Sequence, residues 1–139
     1  MQRFTEISAR GAGARVVRRL ASAFAGIVLL AGAATTRADL IVPAGSIVTL
    51  NAGTADLACT DVTVAGTLQV GAGSLANVRH LTIAPGGLVD GGAGAIALGG
   101  NWNNTGSFVA GSSVVRFRDL CGIGNSTVAG NATFGSVSF

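Results

Sequence analysis

Past residue 60 the apolar side chains fall on alternate positions. Val62 and Val64 flank Thr63; Leu68 and Val70 flank Gln69; Leu81 and Ile83 flank Thr82; Ile96 and Leu98 flank Ala97; Val115 and Phe117 flank Arg116, and Arg118 continues the polar set. A period of two belongs to strands with one face on a core. The runs are short, and Gly or Asn interrupts each of them, as corners with a positive φ require. A helix across the same stretch would lose about 1 kcal/mol per interior glycine against alanine.

The pattern also repeats over a longer interval. Cut every twenty residues from Ile41, the chain gives five segments whose eighth positions are Val48, Leu68, Leu88, Phe108 and Val128. Ser or Gly stands two places before each, and Asn or Gly three places after. One such coil cannot bury its own apolar side, so neighbours must stack on it. The spacing predicts an all-β chain, a β-solenoid of the parallel β-helix kind with coils of about 20 residues and an interior file formed by those five side chains. A β-sandwich is the alternative, since its hairpins use the same turn residues, but hairpins do not demand one column recurring at a fixed interval.

Within the fourth segment Trp102, Phe108, Val115 and Phe117 are expected to point inward, with Gly106 and Gly111 turning the chain and the asparagines closing corner hydrogen bonds. The competing reading places Trp102, Asn103 and Asn104 on the surface as a sugar-binding patch, an aromatic ring lying on an apolar sugar face between amides.

Charge divides the chain in two. The formal charge of +3 comes from nine arginines and no lysine, six of the nine lying before residue 39. From Asp39 onward three arginines face five aspartates, a net charge of −2, which gives no basic stripe for nucleic acid. The leader has Arg3, Arg10, Arg15, Arg18 and Arg19, then the uncharged run LASAFAGIVLLAGAA over 20–34. A cationic start, a short apolar run and small-residue sites after Ala33 or Ala38 make a helical signal peptide over 1–38, leaving a β-solenoid domain over 39–139. Arg18 and Arg19 lack the rest of a twin-arginine motif, so the general secretory route to a secreted or cell-surface location is expected, with membrane contact only through the leader.

The segments 59–108 and 114–139, CTDVTVAGTLQVGAGSLANVRHLTIAPGGLVDGGAGAIALGGNWNNTGSF and VVRFRDLCGIGNSTVAGNATFGSVSF, resemble the Gly/Asn-rich coils of exported bacterial surface proteins of the IPTL-type C-terminal sorting group. The resemblance implies a secreted, repetitive, β-rich surface protein and supplies no catalytic residues. The Ile-Pro-Thr-Leu motif, the terminal apolar helix and the basic tail of that group do not appear in these residues.

Little else in the sequence points to catalysis. GGAGAIAL, residues 91–98, matches the frame of a calcium-binding nonapeptide, but Ile96 occupies the place of the liganding aspartate. His80 is the single histidine, which leaves no zinc cluster and no nucleophile elbow for a triad, and it reads as a solvated or hydrogen-bonded coil residue. Asp56, Asp61 and Arg79 are the nearest approach to a charged cluster. The sequons at Asn103, Asn125 and Asn131 are what so Asn- and Thr-rich a chain yields by chance, and no threonine column spans all five segments. No metal or cofactor is expected.

Cys59 and Cys121 set two rules against each other. Export favours a disulfide between the only two cysteines. Three strict coils at about 4.8 Å each separate them by roughly 14 Å, beyond the ~7 Å that a bridge tolerates between α-carbons. Slipped register, a fold-back of the last coils, or pairing outside the chain would each resolve the conflict.

The functional expectation is a non-enzymatic secreted or cell-surface structural, adhesin-like protein. Its partners would be cell-surface or extracellular polysaccharide or protein. The alternative is the N-terminal part of a carbohydrate-active β-helix enzyme, a lyase or hydrolase, which needs convergent carboxylates and arginine. The alternation Phe134, Val137, Phe139 carries no polar cap, so the domain is read as incomplete at its C-terminal side, with self-association through an open last coil.

Overall fold

The computed structural model describes residues 37–139. The signal-peptide reading falls on residues 1–36, outside the described residues, and on Arg37 and Ala38, which are exposed and precede the first strand. Twelve strands follow: β1 (Leu40–Val42), β2 (Ile47–Thr49), β3 (Thr54–Val64), β4 (Thr67–Gln69), β5 (Ser74–Ile83), β6 (Leu88–Asp90), β7 (Ala95–Leu98), β8 (Trp102–Asn104), β9 (Ser107–Val109), β10 (Val114–Phe117), β11 (Val128–Gly130) and β12 (Ser136–Ser138). Every pairing between them is parallel. The chain is a β-solenoid of about five coils, and the antiparallel sandwich is excluded.

Each coil has three faces. The first stacks β1, the second half of β3, the second half of β5, β8 and β11. The second stacks β2, β4, β6 and β9. The third stacks the first halves of β3 and β5 with β7, β10 and β12. β3 and β5 bend from the third face of one coil into the first face of the next, where their register shifts. The ladder continues through the corners: Ala72, Ala93 and Ser112 each donate an N–H to the carbonyl of Asn51, Gly71 or Gly92 in the coil below, all at 2.8 Å. Those acceptors and Gly111 share one left-handed column, with φ of 52° at Asn51, 64° at Gly71, 56° at Gly92 and 56° at Gly111. A Cβ on Gly92 would stand 2.6 Å from the Gly71 carbonyl oxygen, so close stacking itself demands glycine there.

The predicted interior file needs correction at two of its five places. Val48 pairs with Leu68, Leu68 with Val89, and Val89 with Phe108, so Val89 replaces Leu88. The coils are not uniform: on the second face successive strands start at residues 47, 67, 88 and 107. Two residues, Ala65 and Gly66, join the first face to the second in the second coil, whereas four, 84–87, do so in the third. The longer corner is a turn closed by Gly87 N–H to Ala84 carbonyl at 2.8 Å. It adds two residues to a first face that advances by only 19, Val64 to Ile83, so the following strand lies 21 residues on, Leu68 to Val89, and this odd offset reverses inside and outside against the twenty-residue cut. Val128 belongs to a different file, Leu40, Val62, Leu81, Trp102, Val128 on the first face, and is 42% exposed.

The core is aliphatic through the lower coils and aromatic only at one end. Trp102, Phe117 and the half-buried Phe108 and Phe134 meet there. Trp102 stands edge-on to Phe108 and Phe134, with centroids 4.8 and 5.1 Å away, and Phe134 is edge-on to Phe117 at 6.4 Å. Phe134 reaches that position because the fifth coil adds no strand to the second face. Only residues 131–135 connect β11 on the first face to β12 on the third, and they carry Phe134 against the Phe108 ring, 5.8 Å away.

Candidate functional site

On β8 the side chains alternate inward, outward, inward. Trp102 is fully buried, so its ring is core and the surface-platform reading fails for it. Asn104 is buried too: its Oδ1 accepts from Gly106 N–H at 3.1 Å and its amide donates to the Asn131 carbonyl, closing a corner as expected. Asn103 alone of the three faces solvent. It continues an outward file with Thr63 and Thr82 below and Ala129 above.

A second outward ladder runs beside that file at the strand entrances. Asp61 N–H donates to Asp39 Oδ1 at 3.1 Å, Asn101 N–H to His80 Nδ1 at 2.9 Å, and Thr127 N–H to Asn101 Oδ1 at 3.0 Å. His80 is therefore the hydrogen-bonded coil residue expected from sequence, with Nδ1 as acceptor and the proton on Nε2. Arg79 Nε lies 3.3 Å from Asp61 Oδ1; with both side chains part-exposed, the pair contributes about 0–1 kcal/mol.

Asp56 does not join that pair. Its Oδ1 accepts from Ala58 N–H at 2.9 Å and from Asn77 Nδ2 at 2.8 Å in the coil above. The backbone bond from Ala58, then the Asn77 amide, hold its carboxyl below the ordinary aspartate value, with desolvation opposing weakly. The Asp56 turn sets Ala58 and Cys59 in the left-handed region, φ 48° and 63°. That bend aims Cys59 at the flank of the solenoid.

Cys59 and Cys121 are bonded, with α-carbons 5.6 Å apart. The three-coil gap is closed by a fold-back. Arg118 N–H still donates to the Leu98 carbonyl at 2.8 Å, as the ladder requires, and the chain then leaves the stack until Thr127. The excursion brings Cys121 down across the fourth and third coils, its sulfur 3.9 Å from the Val78 carbonyl oxygen. Gly99 makes room, because a Cβ there would lie 2.9 Å from Cys121 Cβ and 3.0 Å from its sulfur. Sequence spacing alone held no signal for this excursion; the Asp56 turn and Gly99 show it only once the coils are stacked.

The calcium-like frame is a corner. Asp90 Oδ1 accepts from Gly92 N–H at 3.0 Å, and Ile96 is buried in the core. Among the described residues no three His, Cys, Asp or Glu side chains gather in a metal-holding group. No family model, curated protein or solved structure matches the chain.

Proposed function

We propose that the chain is an exported, cell-surface or extracellular structural protein, adhesin-like and non-enzymatic, whose first face meets polysaccharide or protein through Thr63, Thr82 and Asn103. The observation that carries the reading is the commitment of the ionisable side chains on that face. Asp39 and His80 accept backbone N–H groups, and Asp61 pairs with Arg79, so the acid–base candidates serve the stack. The disulfide supports an oxidising location, where such bonds persist. The resemblance to IPTL-type sorted proteins adds surface attachment to the proposal.

Expression of the full chain followed by fractionation tests the location. The expected result is leader-free protein in the surface or extracellular fraction; protein kept in the cytoplasm with its leader intact overturns it. Sedimentation with insoluble polysaccharides tests the face: Asn103→Ala is expected to weaken retention several-fold. Release of new reducing ends or unsaturated sugars would favour the carbohydrate-active enzyme instead.

A further inference from the structure

The segment between Arg118 and Thr127 is tied to the solenoid unlike any other. Strand residues on either side are held by the ladder: Arg118 N–H bonds the Leu98 carbonyl, Thr127 N–H bonds Asn101 Oδ1, and Trp102 N–H bonds the Thr127 carbonyl at 2.8 Å. Between them the backbone hydrogen bonds are internal. Leu120 N–H returns to the Arg118 carbonyl at 2.7 Å and Gly124 N–H to Asp119 Oδ1 at 3.2 Å. Gly122 and Gly124 have φ of 66° and 77° with open space around them, and Leu120 is exposed. Beneath Cys121 lies buried Gly99, and Gly100 and Val78 beside it are buried as well.

We propose that the Cys59–Cys121 bond is a redox latch holding residues 119–126 as a flap on the flank of the third and fourth coils. Its reduction frees that flap while the solenoid stays folded. The inference does not depend on where the protein resides or what it binds.

The asymmetry of attachments gives the reason. The coils are held by parallel ladders on three faces and by one continuous core, none of which passes through the flap. The flap packs no side chain into that core; the nearest aromatic residues, Phe117 and Phe134, lie outside it in sequence. Regions with few buried apolar contacts and few backbone bonds to their surroundings open well below the global unfolding free energy. Removing the one covalent tie therefore acts locally, uncovering the flank at Gly99 and Val78. Cys59, on the other side, remains fixed by the Asp56 turn.

The step needs a dithiol reductant. One of its thiolates attacks a cystine sulfur and breaks the Cys59–Cys121 bond, giving a mixed disulfide; its second thiolate then displaces the remaining cysteine. Two electrons pass to the protein sulfurs, the protons of the two reductant thiols end on Cys59 and Cys121, and the reductant leaves as a cyclic disulfide.

Backbone NMR relaxation on the full chain, before and after treatment with dithiothreitol under native conditions, tests the latch. Expected after reduction are order parameters below about 0.6 for residues 120–125, with β5, β7 and β10 staying near 0.85. Cys121→Ser should reproduce the reduced pattern without reductant. Unchanged order parameters in 120–125 would overturn the latch by showing that other contacts hold the flap. Loss of order across the strands as well would overturn it by showing that the bond is a staple for the whole fold.

Discussion

Val89 stands directly on Leu68, while its neighbour Leu88 stands on Thr67 and turns away from the interior. Two adjacent apolar residues thus have opposite environments, and the register shift in the bend of β3 and β5, carried through the four-residue corner at 84–87, decides which is which. Val89→Ala is expected to cost about 1.5–3 kcal/mol, the worth of a fully buried aliphatic side chain, and Leu88→Ala under about 1 kcal/mol. Urea unfolding midpoints at constant slope would measure both. The reverse ranking would contradict the register.

Gly99 has no room for a methyl group beneath Cys121, where a Cβ would approach Cβ and sulfur to 2.9 and 3.0 Å. Gly99→Ala should cost about 1–3 kcal/mol through overpacking. It should also leave a measurable fraction of the protein with free thiols, read by alkylation and mass.

The bridge closes a loop with a sequence separation of 62 residues, for which the chain-entropy relation gives about 4 kcal/mol. Replacing both cysteines by serine should lower unfolding stability toward that amount. Denaturant titrations of the double variant and the oxidised parent compare the two directly.

Asp56 has its folded-state carboxyl held low by Ala58 N–H and the Asn77 amide. A depressed folded value adds stability that is fully present above the unfolded value and is lost as pH falls through the folded one. Stability should therefore decline at pH values below the ordinary aspartate range, and Asp56→Ala should remove that share of the decline. Because Asp56 is exposed, the loss near neutral pH is expected to stay within about 1 kcal/mol. Thermal melts across acidic pH provide the measurement.

Trp102 is the only tryptophan, and its buried Nε1–H has no hydrogen-bond partner. Its fluorescence should be blue-shifted, resistant to acrylamide, and unchanged by added polysaccharide. Trp102→Ala should cost about 3–5 kcal/mol. Trp102→Phe should cost less, since it keeps a ring beside Phe108 and Phe134 and removes an unsatisfied donor.

At the candidate face the sequence showed less than at the core. Trp102 was legible as an inward residue from the alternation that also placed Val115 and Phe117 inward. Asn103 and Asn104 look equivalent in sequence, yet one faces solvent and the other caps a corner, because β8 reverses direction at every residue. The backbone bonds from Asp61, Asn101 and Thr127 into the coil below arise between residues 22, 21 and 26 apart, an uneven spacing that no single period captures.

The sequence by itself determined the strand character, the parallel stacking of coils about 20 residues long and the inward set of most strands. Those follow from local alternation and from glycine at corners, which are properties of neighbouring residues. Only the tertiary structure decided the register of the third coil, the path of the fifth across the core end and the meeting of Cys59 with Cys121. Each depends on how many residues a corner or excursion consumes before the chain rejoins the stack, and that number is set by backbone packing on the coil beneath.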